Sequence, residues 1–543
     1  MSVRRIMGIE TEYGVSALDS PEVSVEDLSR QLVDAYGAAC RKLGHEDDVA
    51  WDFGGEEPLD ATNLPLGEPA PNESTSRAMG FLSGARHPQD VAVLTTLERS
   101  WQRGTSKVLR NGARLYVDHA HPEYAAPESS SPWGAVRFDR AGEAVMRRAM
   151  AHAAAEDGPS PVVFKNNVDG KGAAYGCHEN YLTERRVPFE DLLEVLVPFL
   201  VTRPVLVGAG RVGIGPTSEE PGFQISQRAD YLETIVGPHT TYQRPIVNTR
   251  DEPHAEPRDY RRLHVIGGDA NCAPASSLLK LGITSLVLWI LENHGVPDEW
   301  RALRLADPLA AARTASRDLT MSTPLELADG RALTALQIQQ AFHDATHRHV
   351  IKEAPRLGGH SPDVETLDMM ERWSDTIALL SQGWARAVGT VEWATKLALL
   401  NALRHRDGLG WDSPSLAAMD LQWAEVRPDR SLSRRLLDRG TLEAVTPPEW
   451  VEAAEFEPPA RTRAWFRGEL IRRFPNQVYS ASWHSVVVEP APDRMVRIPM
   501  TEPRGGTRAH LAATLDSCRS MSELVDALAT RPREADEQRG EPA

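Results

Sequence analysis

NGARLYVDHAHPEY, residues 111–124, places Arg114, Tyr116, Asp118, His119, His121 and Glu123 in an alternation that suits a strand running into a turn. Side chains two apart on a strand share a face, so Arg114, Tyr116 and Asp118 are expected to line one wall. A cation, a phenol and a carboxylate on a single wall are costly to bury unless something charged binds against them. A sheet carrying a site for an anion and a metal is therefore the first expectation.

Other segments repeat the theme. In IETEYG, Glu10 and Glu12 sit two apart on a predicted strand and face one side, where paired carboxylates suit a hard divalent cation; the alternative is a solvated strand face. Asp118, beside His119 and His121, is the candidate catalytic carboxylate, because a strand end can hold it close to a target. KNNVDGKGAAYGCHENY, from Lys165 to Tyr181, combines amides, glycines and His178 as in a phosphate- or metal-contacting loop. It is not a Walker motif, and GAGRVGIG at 208–215 opens no helix as a dinucleotide fingerprint would. QRADY, NTRDEPH and RRLHVIGGDAN add Arg228, Arg250, His254 and His264, with the two arginines chosen for their bidentate reach to phosphate.

The chain has 543 residues with 41% hydrophobic content, enough for one large domain and a smaller one, and a formal charge of -17 that argues against general nucleic-acid binding. Four widely spaced cysteines, Cys40, Cys177, Cys272 and Cys518, form no CxxC pair and fit a reducing cytoplasm. The first residues meet Glu10 and Glu12 before any signal-length apolar run, so no export is expected. The run 278–291, interrupted by Lys280, is read as a buried helix too short for a membrane.

The class expected is mixed α and β. Residues 3–14 suit a sheet edge, and Leu28, Leu32, Ala35 and Ala39 mark a helix. Residues 52–78 are expected as a flexible loop, and Val91, Leu94, Leu97 and Trp101 as a helix within its continuation to 110. Further strands are expected at 114–117, 162–168, 223–227, 231–236 and 263–266, and helices at 140–155, at 276–292 and through 297–404 over one side of the sheet. The Pro-rich, acidic stretch 446–459 is read as a separator. Domains are thus expected at 1–445, with an insertion at about 52–110, and at 446–530, before a disordered tail at 531–543.

IETEYG, NGARLYVDHAHPEY, KNNVDGKGAAYGCHENY, FQISQRADY, VNTRDEPH and YRRLHVIGGDAN together resemble the actinobacterial enzymes of pupylation over residues 3–528. That family is similar to glutamine synthetase and the carboxylate-amine ligases. The resemblance implies an α+β fold with a curved antiparallel β-sheet cradle packed with helices and a small C-terminal domain. Of its two branches, a ligase joining the prokaryotic ubiquitin-like protein Pup to lysines and a deamidase/depupylase, the chain is more similar to the second. Asp118 is followed by His119, Ala120 and His121 rather than Val-Gly-Ser, and VRIPMTEPRGG at 496–506 has a counterpart in that branch. The resemblance implies ATP, or ADP with phosphate, and Mg2+. It places Glu10, Tyr116, Glu123, His178 and His264, with Glu12 as an addition, at the metal or its phosphates. It places Arg114, Arg228, Arg250 and Trp483 at the nucleotide, and Asp118 at the catalytic aspartate. It further implies Pup and pupylated proteins as partners, a functional link to the bacterial proteasome, no nucleic acid and no membrane. A Pup ligase or a catalytically silent Pup-binding regulator is the alternative. Arg463, Arg467, Arg472 and Arg473 are read as a Pup-facing rim or a solvated helix face.

Overall fold

Met7–Glu12 alternates apolar Met7 and Ile9 with Gly8, Glu10 and Glu12, the pattern of a strand with an apolar face and a polar one. In the computed structural model, which describes residues 3–45, 49–53, 59–60, 89–91, 106–353 and 361–530, this strand lies inside a sheet. It pairs antiparallel with Cys177–Glu184 on one side and with His121–Ala125 on the other, so the edge expected for it is corrected. Of its two carboxylates, Glu10 lines a cavity between neighbouring strands and Glu12 is buried, so the alternative of a solvated strand face is set aside.

The thirteen-stranded sheet runs Thr234–Gly237, Pro245–Asn248, Tyr260–Val265, Cys177–Glu184, Met7–Glu12, His121–Ala125, Arg114–Asp118, Ser106–Val108, Val49–Trp51, Val478–Ala481, Ser485–Ala491, Arg494–Pro499, Gln89–Val91. Its pairs are antiparallel except Thr234–Gly237 with Pro245–Asn248 and Val49–Trp51 with Val478–Ala481. Helices Val25–Lys42, Pro132–Ala153 and Pro274–His294 pack on the central strands, and the fold is α+β. Met7 and Ile9 enter a cluster with Leu278 and Leu286, and Leu115 and Tyr124 enter one with Leu32 and Phe138. The polar residues between them are left on the opposite face.

Pro274–His294 is longer than the run read from sequence and passes the length and composition of a membrane span, yet 89% of its most apolar window is buried in the protein. Lys280 is accommodated because its Nζ donates to Asp269 O at 2.7 Å. The helices after residue 297 are broken by a hairpin, Pro324–Glu326 with Ala332–Thr334, and pack mainly on Phe189–Thr202 and Pro274–His294, which themselves cover the sheet. The expected strands at 162–168 and 231–236 are shorter, at Pro161–Phe164 and Thr234–Gly237, and the strand expected at 223–227 is Glu220–Gln224. Within the stretch read as a separator, Pro448–Ala454 is a helix packed on Pro132–Ala153, where Arg148 pairs with Glu455. Trp465, Phe466, Leu470 and Val486 form a cluster that also takes in Val49, Trp51 and Val108, and the strands of this segment continue the sheet. Of the 52–110 region, Leu59–Asp60, Gln89–Val91 and Ser106–Val108 are strands. The helix positions Leu94, Leu97 and Trp101, most of the expected loop and the 531–543 tail lie outside the described residues.

Candidate active site

Arg114–Asp118 and His121–Ala125 form a hairpin in which Asp118 pairs with His121, leaving His119 and Ala120 as the turn. Both have positive φ, 43° and 78°, as a type I′ turn requires. Ser29, buried on the helix Val25–Lys42, shares its one hydroxyl proton between Ala120 O at 2.6 Å and Val25 O at 2.7 Å, which links the turn to the helix. Asp118 therefore ends a strand whose position is fixed from both sides. As the alternation predicted, Arg114, Tyr116 and Asp118 face one cavity of about 260 Å³, which Glu10, Glu123, His178, Arg250 and His264 also line.

Three adjacent strands build the floor. The register sets Glu10 opposite His178, and Asn180 opposite His264, so the acid and both imidazoles share a face. Glu10, His178 and His264 each offer a ligand atom within 4.8 Å of the others. His178 Nδ1 lies 3.4 Å from Glu10 Oε2, and the two imidazoles meet edge to face with ring centroids 4.9 Å apart. Both ring nitrogens of His264 are buried, and Nε2 lies 3.6 Å from Glu10 Oε2, just beyond hydrogen-bond distance. Burial, with the Arg262 guanidinium beside it, pushes the His264 imidazole down to about 3, so it is neutral and offers a lone pair.

Glu12, Asp118 and Glu123 form a second set within 4.8 Å. Tyr116 donates to Glu123 Oε1 at 2.5 Å. Burial, then the nearby carboxylates of Glu10, Glu12 and Asp118, push the Glu123 carboxyl well above its ordinary range. Two buried imidazoles, with His264 neutral, and crowded carboxylates are the donor set a divalent cation relieves, and the residues present fit one. Gly176 permits the crowding: a Cβ there would lie 2.2 Å from His178 Nε2.

Cations stand among the acids. Arg114 lies 4.0 Å over the Tyr116 ring and 4.2 Å over Trp51, and Arg250 lies 3.3 Å from Glu252. Arg262, which the sequence reading passed over, donates to Glu10 Oε1 at 3.0 Å, to Asn180 Oδ1 at 2.6 Å and to Glu252 Oε2 at 3.3 Å. Burial would raise the Glu10 carboxyl, but Arg262 and then the two histidines outweigh it and hold it well below the usual range. The missed signal was simple: Arg262 is two residues before His264 on one strand and so shares its face. Glu252 and His254, from NTRDEPH, complete this side of the cavity.

Trp483 lines this cavity and an adjoining one of about 90 Å³, whose walls include Ile9, Ala126, His254 and Arg262. It meets Trp51 edge to face at 5.1 Å. Arg228 stands apart: its guanidinium is buried and donates to Tyr175 O and Ile266 O, and burial, with Arg244 nearby, lowers it to about 10. Lys165 is likewise taken up, by Asp139 at 2.6 Å and Glu143 at 3.1 Å. Neither reading of Arg463 and Arg467 survives, since both are buried and bind Glu128, while Arg472 and Arg473 pair with Glu469.

The Pup-ligase protein family matches residues 5–487. A relative named Pup deamidase/depupylase, from Mycobacterium tuberculosis, is 43% identical over 536 residues, covering 98% of this chain and 100% of that one. The crystal structure of the complex between Pup and its ligase PafA has a TM-score of 0.73 at 30% identity, covering 97% of this chain and 91% of that one. The structure of the Pup ligase PafA in complex with ADP has a TM-score of 0.67 at 34% identity, covering 79% of this chain and 96% of that one.

Proposed function

The chain belongs to the Pup-ligase protein family, and from that premise we propose that it is a Pup deamidase/depupylase. It hydrolyses the side-chain amide of a C-terminal glutamine on Pup to glutamate, and cleaves the isopeptide bond joining that glutamate to a protein lysine. Both reactions are attack on the same carbonyl carbon. The observation that carries the reading is the convergence of Asp118, Glu10, Glu123, His178 and His264 on one cavity, in a chain that aligns with a deamidase/depupylase over 98% of its length.

Glu10, Glu123, His178 and His264, with Tyr116 hydrogen-bonded to Glu123, would hold Mg2+, and Glu12, grouped with Asp118 and Glu123, would add a carboxylate. When bound, the cation neutralises the phosphates of ATP or ADP and fixes their orientation. Arg114, Arg250 and Trp483 line the same cavity, where the two guanidinium groups would offset phosphate charge and the indole would offer a face to the base. Asp118, at the end of its strand, activates water or attacks the carbonyl directly. Arg228 acts from behind, bracing the backbone at Tyr175 and Ile266. A cytoplasmic place and a link to the bacterial proteasome belong to the same reading, and the four free cysteines accord with a reducing compartment.

The ligase reading has in its favour the likeness to PafA structures and to relatives named Pup--protein ligase, one of them 40% identical. The two separate in a paired assay. Given nucleotide and Mg2+, the chain is expected to release free protein from a Pup–lysine conjugate, and to form no conjugate from glutamate-ended Pup, ATP and a lysine-bearing protein. Conjugate formation without release would overturn the proposal in favour of the ligase.

A further inference from the structure

Asp118 is held at its Cα by a strand end, which does not by itself fix how the carboxylate turns. Its hydrogen-bond partner among the described residues is His119, whose Nδ1 lies 2.8 Å from Asp118 Oδ2. Contact between sequence neighbours is unusual here, because successive side chains on an extended strand point to opposite faces. It is possible because His119 adopts φ 43°, which folds the imidazole back onto the face of Asp118, and both residues line the same cavity.

The turn is not made of the residues that would form it most readily. Two-residue hairpins of this type favour Asn-Gly or Asp-Gly, whereas this one uses His119 and Ala120, the latter at φ 78° where its Cβ is disfavoured. The Ser29 hydroxyl, shared with Val25 O, links the strained pair to the helix Val25–Lys42. His119 tolerates a left-handed φ better than Ala120 does, and its imidazole lies against the Asp118 carboxylate.

We propose that His119 is a positioning residue for Asp118. With its proton on Nδ1, it donates to Oδ2 and occupies that oxygen, so that Oδ1 is presented to the water or carbonyl that Asp118 engages. The Asp118–His119 pair is thus one unit, assembled by the strained turn. This rests on the amidohydrolase reading above.

The test uses the whole chain with His119→Gly, His119→Ala and His119→Asn, assayed with glutamine-ended Pup, nucleotide and Mg2+. The readouts are kcat and KM for ammonia release, nucleotide affinity and unfolding midpoint. The Gly and Ala variants are expected to lose about 10- to 100-fold in kcat, the equivalent of one charge-assisted hydrogen bond, with KM and nucleotide affinity unchanged. The Gly variant relieves the positive φ and should unfold no earlier than wild type, which separates the effect from a folding defect. The Asn variant tolerates a left-handed backbone and keeps a donor for Oδ2, and should recover most of the loss. An unchanged kcat in the Gly and Ala variants overturns the proposal, as does an Asn variant as impaired as Ala. A wild-type chain that releases no ammonia overturns the functional reading itself, and the proposal with it.

Discussion

Arg262 holds Glu10, Asn180 and Glu252 with the separate arms of one guanidinium, a geometry that lysine cannot copy. Replacing it by Gln leaves the Glu10 and Glu252 carboxylates without their shared counter-charge and raises the cost of keeping Glu10 ionised for a cation. Arg262→Gln is expected to weaken ADP binding in the presence of Mg2+ by about 10- to 100-fold in calorimetric titration, and Arg262→Lys to restore little of it. Unaltered affinity in the Gln variant would remove Arg262 from the nucleotide site. This residue also marks how far single residues were legible. Period-2 alternation found Arg114, Tyr116 and Asp118, because the information is local. Arg228 carried the same chemical label as Arg250, yet it is spent on backbone carbonyls, and nothing within QRADY reveals that its partners are Tyr175 and Ile266.

Glu128, just past the strand His121–Ala125, receives Arg463 Nε at 2.7 Å and is also bound by Arg467 from the helix Ala464–Arg473. Arg467 in turn donates to Gly112 O and Trp483 O, so this buried triad sets where the helix, and with it Trp483, meets the main sheet. Burial would raise the Glu128 carboxyl, but the two guanidinium groups outweigh it and hold it at about 2. A carboxyl depressed on folding stabilises the protein above its unfolded value of about 4.3, and that contribution is lost as pH falls through the folded value. The difference amounts to about 3 kcal/mol. Urea unfolding of wild type is therefore expected to weaken more between pH 6 and pH 3 than that of Glu128→Gln, which starts lower at pH 6 because both buried arginines lose their partner. Equal pH dependence in the two would contradict the triad's role. The arginines in TRAWFRGELIRRF looked like a solvated or ligand-facing row because helical spacing shows that residues share a face, while only tertiary packing shows what that face meets. The same limit misplaced Met7–Glu12 at an edge: its two partners come from residues 121–125 and 177–181, and pairing over such separations leaves no local mark.

At the scale of the molecule, the site lies where distant parts of the chain converge. Glu10 comes from the first strand, Asp118 from the hairpin, His178 and His264 from the strands beyond, and Trp483 from the C-terminal segment that continues the sheet through Val49–Trp51 and Val478–Ala481. The formal charge of -17 offers a polyanionic nucleotide no long-range attraction, so in the proposed function Arg114, Arg250 and Arg262 would supply it within the cavity. The fold class and the chemical character of the site were legible because both rest on strand periodicity and residue type. The joining of the C-terminal strands to the main sheet was not, because the Pro-rich stretch before them reads as a linker until Pro448–Ala454 is seen packed on Pro132–Ala153. The most direct test of the account is the mass of glutamine-ended Pup after incubation with the chain, nucleotide and Mg2+. The wild-type chain should convert it to the glutamate-ended form, and Asp118→Asn should leave it intact while still binding nucleotide. Deamidation that persists in Asp118→Asn, or none with wild type, would contradict the account.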